Sequence, residues 1–250
     1  MLCIDNRCTD IYFNLAAEEY LLKRKRENYF MLWRSEPSVV IGKHQSAEIE
    51  TDENYMKGNG IRLARRFSGG GAVYHDKGNI NLTFIETIQQ PDFEFYLQQV
   101  IDFLETIGIT AHADKRLGVY VDGLKISGSA QCIHKDRVMY HCTLLFSTDL
   151  IALNKALSGK TDADELVPGS RTVRAVPSVR SNVTNISNHL LQQMDIKRFM
   201  HLIYHYFLND NENNRLYRFT REEIASIERL KAGKYADEGW TYNKASLNYI

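Results

Sequence analysis

The chain has 250 residues, of which 44% are hydrophobic, enough to bury one substantial core. Lys plus Arg and Asp plus Glu each total 31, and this zero formal charge argues against a nucleic-acid binder, whose surface is basic. Residues 1–15 lack a basic start followed by an apolar run, and no stretch approaches the roughly 20 apolar residues that span a bilayer. We therefore expect a cytoplasmic protein without a signal peptide or a membrane segment.

The N-terminal third of the chain predicts a helix followed by short strands. The first helix is expected from Asn14, as its N-cap, to about Lys25. Two short strands follow and are broken at Glu36-Pro37. Residues 61–85 then have the pattern of a strand, a glycine-rich turn and a strand.

The rest of the chain predicts one α+β domain whose strands lie mostly in hairpins. The clearest helix is capped by Asp92, carries apolar residues at three- and four-residue steps and ends at Gly108. The other predicted elements are strands around a turn at Asp122-Gly123, a strand over 137–149, a long surface loop over 158–185, a helix over 194–208 and a helix from the capping box Thr220–Glu223 to Gly233.

The most informative segment is RRFSGGGAVYHD, residues 65–76. Three successive glycines remove every Cβ, so backbone N–H groups can approach a ligand closely and cradle phosphate or carboxylate oxygens. Arg65 and Arg66 can add charge-assisted hydrogen bonds to the same anion. The alternative is a hairpin turn with solvated arginines. The segment matches neither the Rossmann nor the Walker pattern, so neither of these nucleotide-binding motifs is predicted.

A second segment, DGLKISGSA, carries the lysine at position 125. Strand alternation predicts that Lys125, Ser127 and Ser129 share one face. A lysine among small residues can polarise a carbonyl and stabilise developing negative charge. The alternative is an ordinary edge lysine that guards a strand against aggregation.

Four segments in this order, RRFSGGGAVYHDKGNINLTFI, DGLKISGSAQ, YHCTLLFSTDL and VPSVRSNVTNI, closely resemble motifs of the lipoate–protein ligase A and lipoyltransferase family. The resemblance covers about residues 14–185, and the closing YADEGWTYNKAS resembles the end of the family's catalytic domain. It implies the biotin/lipoate ligase catalytic-domain fold, a mixed, mostly antiparallel sheet flanked by helices. We expect a single catalytic domain over residues 1–250, without the C-terminal accessory domain of full ligases.

The resemblance also implies a reaction in two halves. Lipoate and ATP, with magnesium, give lipoyl-AMP, and the lysine of a lipoyl carrier domain then attacks it; the implied carriers are 2-oxoacid dehydrogenase domains or the glycine cleavage H protein. Carried over by motif, Lys125 is the catalytic residue that contacts the lipoyl carbonyl and the phosphate bridge. The implied substrate- and ATP-binding residues are Lys125 with Arg66, Ser68, Gly69, Gly70, Gly71, Ala72, Val73, Tyr74, His75, Ser129 and His141, and no metal ligand is implied.

Two departures from the family affect the activation half of the reaction: the expected lack of the C-terminal accessory domain, and a change shortly before the lysine motif. Ligases typically carry Arg-Asn-Asp shortly before the lysine motif, where the polar pair serves ATP and magnesium, whereas this chain has Arg116-Leu117-Gly118. Loss of a carboxylate from a metal–phosphate site argues against activation. We therefore expect transfer from lipoyl-adenylate to be intact, and ATP activation to be weak or to need a separate accessory subunit.

Other functions must be compared with the same motifs. An amidotransferase that forms a thioester needs a cysteine before the lysine motif, and no cysteine lies between Cys8 and Cys132. The four cysteines also lack CxxC spacing, so we expect structural thiols. A cysteine-independent octanoyl or lipoyl transferase and a non-catalytic module that holds lipoyl-adenylate or the carrier both fit the motifs. Biotin ligase does not, because its GRGRxGR motif is missing.

Overall fold

The computed structural model describes residues 1–88, 90–159 and 176–242. Its strands are β1 (Leu2–Asn6), β2 (Tyr29–Trp33), β3 (Ser38–Ile41), β4 (Arg62–Arg65), β5 (Val73–His75), β6 (Asn79–Thr87), β7 (His112–Ala113), β8 (Val119–Val121), β9 (Leu124–Ser127), β10 (Ser129–His134), β11 (Arg137–Leu145) and β12 (Arg215–Leu216). Its α-helices are α1 (Ile11–Arg24), α2 (Ala47–Glu50), α3 (Glu53–Gly58), α4 (Phe93–Thr106), α5 (Leu150–Ala156), α6 (Ile196–Asn209), α7 (Arg221–Leu230) and α8 (Glu238–Thr241). A 3-10 helix spans Ile186–His189 and a π-helical turn spans Lys231–Tyr235.

Three sheets form the β structure. The largest has six strands in the order β10-β11-β6-β2-β1-β12, and two three-stranded sheets have the orders β4-β3-β5 and β7-β8-β9. The pairs β1–β12, β1–β2 and β3–β4 are parallel, and the other pairs between these strands are antiparallel. The predicted mixed, mostly antiparallel sheet flanked by helices is therefore confirmed.

The six-stranded sheet is buried on both faces. Along β2, Phe30 and Leu32 join the core formed with α4 and α6, whereas Met31 and Trp33 join the core formed with α1. This division follows from the two-residue period of a strand. A third core packs β3 and β5 against α3 and α5, and it supports the wall of the site described below.

The predicted N-cap of the first helix is wrong by four residues. Asp10 is the N-cap, and its side chain accepts a hydrogen bond from the backbone N–H of Tyr12. Asn14 is instead fully buried inside α1, where its amide donates to the carbonyls of Cys8 and Arg34. A residue with N-cap chemistry thus serves a tertiary contact that local pattern does not reveal.

The glycine-rich turn joins strands that do not pair with each other. β4 and β5 lie on opposite sides of β3, where Val39 is aligned with Leu63 on one side and with Tyr74 on the other. The hairpin alternative is therefore wrong, because residues 66–72 must cross the end of β3.

Most of the other predicted elements are confirmed. They include the break at Glu36-Pro37, α4 with its Asp92 cap, the Asp122-Gly123 turn, α6, and α7 with its capping box. The short helices α2, α3 and α5 were not predicted. Within the predicted loop, residues 160–175 lie outside the described residues, and 176–182 are irregular. No described helix has the length and apolarity to cross a membrane.

Candidate functional site

Arg66 organises the glycine-rich segment from within. Its buried guanidinium donates to the carbonyls of Val40 at 3.1 Å and of Gly69 and Gly71, both at 2.7 Å. Burial lowers the pKa of Arg66 to about 10, while Glu18 acts in the opposite direction, so the group stays charged at neutral pH. The charged guanidinium of Arg66 therefore holds the backbone of the glycine-rich segment in place through its hydrogen bonds.

The expectation that both arginines donate to a bound anion needs correction. Arg65 is also buried, and its guanidinium donates to carbonyls of residues 42, 43, 45, 240 and 241. A buried charge needs such partners, and here backbone carbonyls supply them. The sequence showed the charges but not the carbonyls that surround them.

Glycines are required on both sides of this loop. Gly70 has φ +91°, and a Cβ there would lie 2.9 Å from Nη2 of Arg66. Gly42, which the sequence analysis did not single out, comes so close that a Cβ would lie 2.1 Å from the carbonyl oxygen of Gly70. The loop therefore packs directly on the backbone that follows β3.

The segment exposes backbone donors. Within the described part of the chain, the N–H groups of Gly69, Gly70 and Gly71 have no acceptor, and Gly70 and Gly71 are exposed. The next N–H, of Ala72, donates to Oγ of Ser178 at 2.8 Å. This geometry supports the predicted anion cradle.

Two adjacent cavities meet at this segment. The first, here the Trp33 cavity, has a volume of about 370 Å³ and walls that include Leu15, Trp33 and Val40. The second, the Leu153 cavity, has a volume of about 410 Å³ and walls that include Leu145 and Leu153. Residues that line both cavities are Ala72, Val73, Lys125, Gly128, Thr143, Pro177, Ser178 and Val179.

Lys125 is held by its backbone at the junction of the cavities. Its N–H donates to the carbonyl of Asn182 at 2.8 Å, and its carbonyl accepts from Thr184 at 3.0 Å. This edge of β9 is therefore paired, so the edge-guard alternative is wrong. Burial lowers the pKa of the partly exposed Lys125, and Asp114 partly offsets this effect. Among the described residues, Nζ of Lys125 has no hydrogen-bond or ion-pair partner, which leaves it available to a ligand.

A buried polar chain supports the Trp33 cavity. Nε2 of His141 lies 3.0 Å from Oγ of Ser68, and Nδ1 lies 3.0 Å from Oε1 of Glu18. The same carboxylate oxygen accepts from Thr83 at 2.6 Å, and Thr83 accepts from the indole of Trp33 at 3.0 Å. These contacts fix the orientation of His141 and Trp33 in the cavity wall.

His75 lies in the same wall and differs from His141. Its ring stacks on Trp33 at 5.6 Å, and neither ring nitrogen has a partner among the described residues. Burial lowers the pKa of His75 to about 3, with smaller effects from Arg66 and His141, so the imidazole is neutral. A buried imidazole without a hydrogen-bond partner is unusual in a folded protein, and this one belongs to a residue that lines the Trp33 cavity.

The structure brings most of the predicted site residues together. Those lining the Trp33 cavity alone are Arg66, Gly70, Gly71, His75, Ser129 and His141; Tyr74 lines the Leu153 cavity alone; Ala72, Val73 and Lys125 line both. Ser68 and Gly69 line neither cavity; Ser68 is hydrogen-bonded to His141, and the carbonyl of Gly69 accepts from Arg66. The described residues contain no group of three or more His, Cys, Asp or Glu that could hold a metal ion.

Sequence reasoning missed three parts of these walls: Trp33, Leu153 and Ser178. Trp33 was visible only as part of an apolar strand, and Leu153 lies in a helix that was not predicted. The quoted motif VPSVRSNVTNI contains Ser178 and was the available signal for it.

The chain is similar in sequence to known proteins. The family model for the lipoyl protein ligase A/B catalytic domain matches residues 10–208. The lipoate-protein ligase LplJ of Bacillus subtilis is 37% identical over 98% of this chain and 74% of its own length. The mitochondrial lipoyl amidotransferase of Homo sapiens is 37% identical over 73% of this chain and 49% of its own length.

Solved structures are similar over nearly the whole chain. A bi-partite lipoate protein ligase studied with its E2 lipoyl domain from Thermoplasma acidophilum has a TM-score of 0.81 and 26% identity, over 96% of this chain and 95% of its own. A lipoate-protein ligase A bound with ATP has a TM-score of 0.80 and 25% identity, over 96% of this chain and 98% of its own.

Proposed function

Because the chain belongs to the lipoyl protein ligase A/B catalytic-domain family, we propose that it joins lipoate to the acceptor lysine of a lipoyl carrier domain through lipoyl-adenylate. The family's named relatives are enzymes, and the B. subtilis protein is a lipoate-protein ligase. The observation that carries the proposal is the position of Lys125, which borders both cavities. A ligand with an acyl part and a nucleotide part can occupy two adjacent cavities that share the cation of Lys125.

We assign the acyl group to the Trp33 cavity and the nucleotide to the Leu153 cavity. Leu15, Trp33 and Val40 offer an apolar wall to a linear acyl chain. The Leu153 cavity adds Asn154 and Arg180, polar groups suited to a nucleotide. The acyl–phosphate junction then lies beside Lys125 and the Gly70–Gly71 backbone.

In the transfer half, the amine of the carrier lysine attacks the acyl carbonyl. The new amide bond forms, the bond between the acyl carbon and the phosphate oxygen breaks, AMP leaves with the electron pair, and the amine releases a proton. Lys125 stabilises negative charge on the carbonyl oxygen and the departing phosphate. The exposed N–H groups of Gly70 and Gly71 orient the phosphate.

The residues around Asp114 bear on the activation half of the reaction. The carboxylate that acts on Lys125 is Asp114, and its oxygens already accept from the N–H groups of Arg116 and Gly118 and from the Tyr120 hydroxyl. Leu117-Gly118 stands in place of a polar pair, so the chain lacks at this position a carboxylate that could bind magnesium together with the phosphates of ATP. We therefore propose ATP as a substrate that needs help from an accessory subunit.

The carrier and the location belong to the same proposal. The T. acidophilum ligase was studied with an E2 lipoyl domain, which supports a 2-oxoacid dehydrogenase domain as the acceptor, with the glycine cleavage H protein as the other candidate. Four free cysteines support a cytoplasmic location.

Mass spectrometry of an apo-lipoyl domain tests both halves. One reaction contains lipoate, ATP and magnesium, and the other contains preformed lipoyl-adenylate. We expect the lipoyl mass increase with the adenylate and little with ATP. Equal, complete labelling in both reactions would refute the activation deficit, and labelling in neither would refute the transfer function.

The human amidotransferase relative supports a second candidate, transfer from one lipoyl or octanoyl carrier to another without ATP. Cys142 lines the Trp33 cavity, but burial raises its pKa to about 12, which disfavours a thiolate nucleophile. Such transfer would therefore be cysteine-independent. Incubation of acylated donor carrier with apo-acceptor, without nucleotide, distinguishes it from adenylate chemistry.

A further inference from the structure

Arg65 connects the last described segment of the chain to the backbone beside the cavities. The residue ends β4 and is 2% exposed. Its Nε donates to the carbonyl of Thr241 at 2.9 Å, and its Nη1 donates to the carbonyls of Gly42 at 3.0 Å and Gln45 at 2.7 Å. Since a buried guanidinium depends on such acceptors, it holds the two segments at a fixed separation.

Trp240 closes the same contact from the other side. Its indole N–H donates to the carbonyl of Arg65 at 2.8 Å. Nζ of Lys234 lies 4.1 Å from the centroid of the Trp240 ring and 2.7 Å from Oε2 of Glu19 in α1. We call Arg65, Lys234, Trp240 and Thr241 the terminal clamp.

The loop of residues 42–45 transmits this contact to the site. The N–H of Lys43 donates to the carbonyl of Ser68 at 2.9 Å, next to the glycine-rich segment. Nε2 of Gln45 donates to Oγ of Ser178 at 2.9 Å, and the same oxygen accepts from Ala72. Ala72 and Ser178 line both cavities, although Arg65 and Trp240 line neither.

We propose that Arg65 and Trp240 are positioning residues for the lipoyl-adenylate site, acting through the loop of residues 42–45. The inference rests on the proposed function. Loosening the clamp displaces the segments that bind the ligand, whereas Lys125 keeps its separate backbone anchors at Asn182 and Thr184. The expected result is a KM for lipoyl-adenylate raised about tenfold, with kcat changed less than twofold.

The test uses Arg65→Lys and the milder Trp240→Phe, which keeps an aromatic ring under Lys234 but removes the indole N–H. The matched control is Arg137→Lys, because Arg137 is also buried and donates to carbonyls of Arg26 and Glu27, outside both cavities. Transfer kinetics from lipoyl-adenylate are measured together with hydrogen exchange at the amides of Lys43 and Ala72.

Both clamp variants should raise KM and speed exchange at the two amides, and the control should change neither. Unchanged KM and exchange in Trp240→Phe, or an equal KM change in Arg137→Lys, would overturn the inference. If the unsubstituted protein transfers no acyl group, the proposed function fails. Hydrogen exchange then tests the structural role of the terminal clamp by itself. Faster exchange in the clamp variants but not in the control supports that role, and equal exchange in all variants overturns it.

Discussion

Replacing Lys125 with methionine tests the central charge of the site. Methionine keeps an unbranched side chain of similar length and removes the cation. The fold should tolerate the change, because Lys125 is anchored through its backbone to Asn182 and Thr184. A unit charge about 4 Å from a developing negative charge contributes about 4 kcal/mol at an effective dielectric constant of about 20. Loss of one such preorganised group typically costs about 100- to 1000-fold in rate, and we expect a loss in this range.

The assay is single-turnover transfer from synthetic lipoyl-adenylate to an apo-lipoyl domain, quantified by mass spectrometry. Lys115→Met is the matched control, since Lys115 is an exposed lysine that lines neither cavity. The control should retain the rate and the Tm of the unsubstituted protein. A Lys125→Met rate within threefold of the control would refute the electrostatic role. A large fall in Tm would show that the side chain supports the fold instead.

Three further predictions follow from individual contacts. Gly42→Ala places a methyl group 2.1 Å from a carbonyl oxygen, so calorimetry should show lost binding of lipoyl-adenylate, whereas Gly58→Ala, with nothing within 4 Å, should bind normally. Asn14→Ala removes a buried amide, leaves two part-buried backbone carbonyls unpaired and should lower the free energy of unfolding by about 2 kcal/mol in urea titrations; a loss below about 0.5 kcal/mol would contradict this. Burial lowers the pKa of Lys125, so transfer should decline as pH rises through a pKa below that of an ordinary lysine. Asp114→Asn should move this decline to still lower pH, and an unmoved pH–rate profile would contradict the assignment.

The elements that sequence predicts well are those whose signals are local. Asp92 caps α4 by accepting from the N–H of Phe95, three residues away, and the capping box of α7 also spans three residues. The glycine-rich segment and Lys125 could be identified from the sequence for a related reason, because a ligand cradle needs residues of particular types at short spacing.

Contacts between segments that lie far apart in the sequence could not be predicted from it. Ser178 meets Ala72 across 106 residues, and Arg65 meets Thr241 across 176. The same limit misplaced the N-cap, because Asn14 has the chemistry of a cap but its partners come from β1, the loop after β1 and the residue that follows β2. Local pattern specifies what a side chain can bind, and tertiary packing selects what it does bind.

The charges around the Leu153 cavity bear on which half of the reaction this chain favours. Its charged lining residues are Glu50, Lys125 and Arg180, and Oε1 of Glu50 accepts from the N–H of Ser178. Lipoyl-adenylate brings a single phosphate charge to this cavity, whereas ATP brings a triphosphate. The two cations beside the Glu50 carboxylate match the single phosphate of the first ligand more closely than the triphosphate of the second. Supplying positive charge from outside the chain, by metal or by partner, should therefore raise activation without changing transfer from lipoyl-adenylate.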